Sequence, residues 1–283
     1  MNQERMRPRS ASAWVLVAVA AVFLTVMIIL PVISILTMAL REGLSGLAQG
    51  ITRRETISAI SLSIWVMAIS LPVTAVFGIA AAWALTKFSF PGKKILLVLI
   101  DLPLSLSPVV VGLMFILLYG RYGLFGSFLQ GIGVQVIFAP PGLVLTTLFI
   151  LLPLVVRELI PSMQELGSSE EEAALTLGAN GWRMFFRVTL PNIRWALLYG
   201  LILSAARAAG EFGAASVVSG LIRGNTITLP LQIDIYYNEY MTTMAFASST
   251  IFFGFAAVTL VAKRVVAYRL NRELKHKEAA DAA

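Results

Sequence analysis

Six apolar runs, each long enough to cross a bilayer, constrain this chain more than any other feature. A membrane helix needs about 20 mostly apolar residues. The runs read roughly as Ala13–Leu40, Ile57–Thr86, Ile95–Tyr119, Pro141–Leu159, Ala196–Gly220 and Met244–Val266. They predict an all-α, polytopic membrane protein with about six transmembrane helices. The second run is about 45 Å long at 1.5 Å per residue, so it must tilt or begin outside the hydrocarbon. Pro31, Pro72, Pro103, Pro108 and Pro153 lie inside runs, where neighbouring helices can satisfy the carbonyls they free. Composition excludes the competing classes. Of 283 residues, 58% are hydrophobic and only 13% charged, where a soluble domain carries about 25% charge. A soluble enzyme could not hide this surface, and disorder needs the opposite balance.

Charge placement orients the spans. With the N-terminus in the cytoplasm, the inner segments carry 16 of the 22 Lys and Arg residues, the outer loops carry 5, and Arg207 lies within a span. That asymmetry puts both termini inside. It also accounts for the net charge of +7 without a nucleic-acid partner. Arg5, Arg7 and Arg9 ahead of the first run suggest a signal peptide, but the length of that run favours an uncleaved anchor. The chain has no Cys and one His, His276. That excludes a disulfide scaffold, a thiolate metal site, a Cys nucleophile and a His-based triad. With no GxxxxGK[ST] stretch, any ATP must be bound by another chain; no cofactor, metal site or catalytic residue of its own is expected. The expected organisation is residues 1–56 (N-terminus, first span and outer loop), 57–266 (transmembrane core) and 267–283 (a polar cytoplasmic tail). The tail from Asn271 to Ala283 is expected to be mobile.

The longest polar stretch, Ile160 to Trp195, lies between spans four and five on the inner side. Ser168 or Ser169 can cap a helix, with Glu171 or Glu172 three residues on completing a capping box. Glu170, Glu171 and Glu172 put acids on its first turn, where the helix dipole favours them. Gly178 fits the left-handed position that closes such a helix. A second segment, Trp182 to Leu190, is expected to stop at Pro191. The result is a short helix–turn–helix that runs into span five, suited either to docking in a partner's groove or to lying on the bilayer surface.

The residues Glu172-Ala173-Ala174, Gly178, then nine residues and Val188-x-Leu190-Pro191, resemble the EAA loop of type I ABC importer permeases. Further stretches resemble the sulfate/thiosulfate permeases, and most of all their W-type subunits. These are Ile100-Asp101-Leu102-Pro103-x-Ser105-x-Ser107-Pro108-Val109-Val110-x-Gly112, Ala206-Arg207-Ala208-x-Gly210-Glu211-Phe212-Gly213-Ala214, and Ile222-Arg223-Gly224 with Thr228-Leu229-Pro230-Leu231 and Ile235-Tyr236-Tyr237-Asn238-Glu239-Tyr240. The likeness covers about three quarters of the chain, from Ile57 to the end of span six. Molybdate and tungstate permeases share the Arg207–Ala214 pattern, so the last stretch is what favours sulfate. The resemblance implies the type I ABC permease fold in a bacterial inner membrane. It implies an assembly with a homologous T-type permease, two ATPase subunits and a periplasmic sulfate- or thiosulfate-binding protein. It also implies that Glu172, Ala173, Ala174, Gly178, Leu190 and Pro191 form the element that couples the pathway to the ATPases.

Polar groups inside spans are costly and therefore informative. Arg207 and Glu211 are four residues apart, on one helical face, with Arg207 about 16 Å into its span. An internal pair that fixes helix packing is favoured over a site that offers Arg207 to a dianion, because the carboxylate cancels most of the attraction. Asp101, about 9 Å into span three, would repel an anion unless paired, so a structural or gating role is favoured. Pro103 and Pro108 should break span three near Ser105 and Ser107. Those hydroxyls either face the pathway, as at other discontinuous transporter helices, or satisfy local carbonyls. Ala205, Ala209 and Gly213, with Ala206, Gly210 and Ala214, allow close helix packing in span five. The outer segment Leu221–Tyr240 offers interfacial tyrosines or a surface for a binding protein. A self-sufficient anion transporter using Asp101 or Glu211 is the alternative of a different class.

Overall fold

A computed structural model of the chain describes the backbone of residues 11–281 and the side-chain surroundings of residues 12–269. Arg5, Arg7 and Arg9, on which the anchor reading rests, lie outside the described residues. The order of elements is α1 (Ala11–Ala39), α2 (Gly43–Thr52), α3 (Arg54–Lys87), α4 (Lys93–Ser105), α5 (Pro108–Tyr119), α6 (Gly126–Gly131), α7 (Pro140–Leu166) and α8 (Ser169–Thr176). Then follow α9 (Gly181–Met184), a π-helical turn (Phe185–Thr189), α10 (Leu190–Ala209), α11 (Gly213–Val218), α12 (Leu229–Asn238) and α13 (Thr242–Asp281). No strand occurs among the described residues. Among the described residues five helices are long and apolar enough to cross a membrane, and α4 with α5 is apolar and long enough only when the bent pair is taken together.

The bundle is built around α7, against which α3 and α10 pack most extensively. Small residues permit this. A Cβ on Gly78 of α3 would lie 2.6 Å from a Val155 methyl, and one on Gly200 of α10 would lie 3.3 Å from Val155 Cα. Three helix backbones thus converge on one valine. The apolar interior forms two clusters. One, at the end bearing the loop from 160 to 195, joins Ala82 and Leu85, Val155 and Leu159, Ile193 and Ala196. The other joins Val66, Val111, Phe115, Leu143, Ile150, Ala214 and Val218. By contrast α1, the most apolar of the five long helices, has a span window with no residue buried within the chain. It rests mainly on α13.

Several expectations need correction. Span three breaks near Ser105 and Ser107 as expected, with α4 and α5 meeting at 113°, but only one of the two prolines makes the break. Pro108 makes the break, occupying the first turn of α5, where its missing N–H costs nothing. Pro103 stays inside α4. The helix of span five ends at Ala209, not Gly220, and α11 is a separate short helix. The row of small residues Ala205–Ala209–Gly213 is therefore not one helical stripe. Pro191 stops nothing, because helix continues from Gly181 to Ala209. A proline ring clashes with the carbonyl four residues back. Here the preceding π turn widens the helix, and the Leu190 N–H bonds to the Phe185 carbonyl, five residues back. The tail is helical as far as Asp281, in keeping with its Ala, Glu, Lys, Leu and Arg content.

Candidate functional site

Two places gather polar chemistry. The first is α8 and the turn after it. No residue of α8 is buried, so apolar packing does not hold it. Its C-terminus closes as a Schellman motif: the Ala179 N–H bonds to the Ala174 carbonyl and the Gly178 N–H to the Leu175 carbonyl, both at 3.0 Å. Gly178 takes φ +85°, the left-handed region a β-carbon disfavours. The N-terminus departs from the expected capping box. Ser168 is the N-cap, but its hydroxyl bonds to the Glu172 carboxylate and not to a backbone N–H.

The acids of the first turn reach into the bundle instead. Glu171 Oε2 lies 2.8 Å from Lys87 Nζ, the last residue of α3. Glu171 Oε1 accepts a 2.7 Å hydrogen bond from Thr189 in the π turn. Glu170 accepts from the Asn192 amide on α10, and Lys87 also donates to the Gly167 carbonyl behind α7. Lys87 and Glu171 are mostly withdrawn from solvent, at 16% and 13% exposure. On the outside, Leu175 and Leu177 are exposed, and Trp182 stacks on Phe186 with both rings largely open. Ala173 is exposed and Ala174 half-buried. The element is thus a polar knot inside and an apolar face outside.

The second place is where the two breaks meet. A Cβ on Gly213, the first residue of α11, would lie 2.8 Å from Pro108 Cβ, at the first residue of α5. A Cβ on Gly112 would lie 3.0 Å from the Ala214 carbonyl oxygen. The two half-helices therefore pack nearly backbone to backbone, starting from one point. Glu211 sits in the break, 5% exposed, with Oε2 2.6 Å from Arg207 Nη1. Its Oε1 accepts the Ala214 N–H at 2.9 Å. Ser105 and Ser107 flank the other break. Both are exposed on this chain, and neither side chain caps α5. Asp101 does not join this group; its Oδ1 pairs at 2.8 Å with Arg157 Nε on α7, both well exposed.

A family model described as the binding-protein-dependent transport system inner membrane component matches residues 74–272. The chain belongs to this family. The permease is 46% identical over 258 residues to the sulfate transport system permease protein CysW of Synechococcus elongatus, covering 91% of this chain and 90% of that one. It is 44% identical over 272 residues to the protein of the same name from Escherichia coli K12, covering 96% and 94%. Its fold matches a bacterial alginate ABC transporter solved in complex with an alginate pentasaccharide-bound periplasmic protein. That match has a TM-score of 0.73 at 17% identity, over 93% of this chain and 96% of that one.

In this permease, Glu172, Ala173, Ala174 and Gly178 lie together on α8 and its closing turn, and Leu190 and Pro191 open α10. Arg207 and Glu211 pair, although the helix that was to carry both ends between them. Sequence reasoning did not find Lys87, Thr189, Asn192 or Arg157 as partners. Lys87 was visible only as one inner-side cation among many, and nothing local links it to an acid 84 residues on.

Proposed function

We propose that this permease is a membrane subunit of an ATP-driven importer of sulfate or thiosulfate. The observation that carries this is identity of 44–46% along nine tenths or more of the chain with relatives named for sulfate transport. The chain forms half of the translocation pathway in a bacterial inner membrane, with both termini and the loop from 160 to 195 in the cytoplasm. A homologous T-type permease supplies the other half. Two ATPase subunits bind the ATP, and a periplasmic protein delivers the anion. The permease itself performs no catalysis and holds no cofactor.

The geometry supports a division of labour. The exposed apolar face of α8 and α9 suits a groove on an ATPase subunit. Closure of the ATPases on ATP moves this element, and the membrane helices open the pathway outward. At the second place, the first-turn amides of α5 have no intrahelical acceptor, and the Ser107 hydroxyl stands beside them. Such donors suit a dianion leaving water. Arg207 is neutralised by Glu211, so that pair shapes the break and the anion meets neutral donors first.

The test is co-purification from native membranes in mild detergent, followed by ATPase assay with the cognate binding protein. The expected result is recovery with an ATPase and a second permease, and stimulation by the sulfate-loaded binding protein. Stimulation by molybdate alone would change the cargo. Anion transport by this chain without ATP would overturn the reading.

A further inference from the structure

We propose that Glu171 is a positioning residue that joins the coupling helix to two membrane helices at once, and that its pairing with Lys87 sets how tightly ATP hydrolysis is coupled to transport. This deepens the importer reading above and rests on it. The argument begins with what holds α8. With none of its residues buried, its position is set by polar contacts at its N-terminal turn. The three acids there do different things. Glu172 bonds to Ser168, next to α8 itself, and Glu170 reaches Asn192 on α10. Glu171 splits its carboxylate, one oxygen to Lys87 on α3 and the other to Thr189 at the head of α10.

Lys87 widens the junction by also donating to the Gly167 carbonyl, where α7 ends. The knot therefore touches the ends of α3, α7 and α10, three of the four helices whose side chains form the inner apolar cluster. A displacement of α8 is delivered to all three through one carboxylate and one ammonium. The electrostatics favour the arrangement. Lys87 sits at the negative end of the α3 dipole, and Glu171 sits at the positive end of α8. Each charge is stabilised by its own helix before it meets the other. Because the pair is largely withdrawn from water, it is a stiffer link than an exposed ion pair, which salt and solvent would loosen.

The test uses the whole complex in proteoliposomes, with ATP hydrolysed per sulfate delivered as the readout. The wild-type arm comes first: if no ATPase co-purifies or no sulfate is moved, the importer reading itself has failed. Given a coupled wild type, Lys87→Gln and Glu171→Gln are expected to keep the ATPase bound. Each should raise the ATP cost per sulfate about fivefold or more, the low end of an ordinary coupling energy. Lys87→Arg, which keeps the charge and the reach, should retain the wild-type ratio. Normal coupling in both glutamine variants would overturn the proposal. So would uncoupling by Lys87→Arg as severe as that by Lys87→Gln. Loss of the ATPase from both glutamine variants would also overturn it, because the pair would then merely hold the complex together.

Discussion

Glu211 and Glu171 make the same kind of contact in two parts of the molecule, with different consequences. Each gives one carboxylate oxygen to a cation and the other to a neutral donor. Glu211 takes both partners from within four residues of itself, across the break between α10 and α11. Glu171 takes its partners from 84 residues before it and 18 residues after it. The first contact fixes the shape of one stretch of backbone. The second joins elements that the backbone does not hold together. Near-identical chemistry thus serves local shape in one place and long-range connection in the other, and the sequence distance between partners decides which.

If that contrast is right, Glu211→Ala should have the largest effect on stability. It removes the partner of Arg207, itself 37% exposed, and leaves the Ala214 N–H without its acceptor, at a cost of about 1–3 kcal/mol. Thermal melting of the detergent-extracted complex measures it, and a wild-type melting curve would break the comparison. Gly178→Val comes next. A β-branched residue in the left-handed region costs about 1–2 kcal/mol and distorts the Schellman turn. Here ATP hydrolysis should separate from uptake while the membrane core melts as before; fully coupled uptake would remove α8 from the coupling path. Thr189→Val deletes one arm of the Glu171 contact, worth about 1 kcal/mol, and should weaken coupling less than Glu171→Gln does. Smallest is Arg157→Gln. Its pair with Asp101 is exposed and is worth about 0–1 kcal/mol, so melting should not move measurably. A large loss there would mean that Asp101 is covered in the assembly.

The sequence made the spans legible because apolar runs and proline positions are local signals. The break at Pro108 followed from its missing N–H, and the turn at Gly178 from its missing β-carbon. What escaped was whatever depends on a distant partner. The first-turn acids of α8 read as dipole complements, because nothing nearby showed Lys87 or Thr189. Pro191 read as a stop, because a proline inside a helix has no local sign that a wider turn ahead of it will make room. The end of span five was missed for a related reason: Ala, Gly and Val continue through residues 208–218, and only the capture of the Ala214 N–H by Glu211 shows where the helix is interrupted.

The π turn from Phe185 to Thr189 has a consequence for the phase of the whole segment. The buried positions run Met184, Thr189, Ile193, Ala196 and Gly200: one step of five, followed by steps of four, three and four. One extra residue in a turn shifts the azimuth of everything beyond it by about 100°. That shift lets Trp182 and Phe186 look outward while Thr189 looks inward at Glu171. Were the segment plain α-helix, Val188 would take the inward position and the hydroxyl would swing away from the carboxylate. The turn therefore works as a vernier between two scales: it absorbs one surplus residue, and deleting that residue would leave the steps of four, three and four that a plain α-helix keeps in phase by itself.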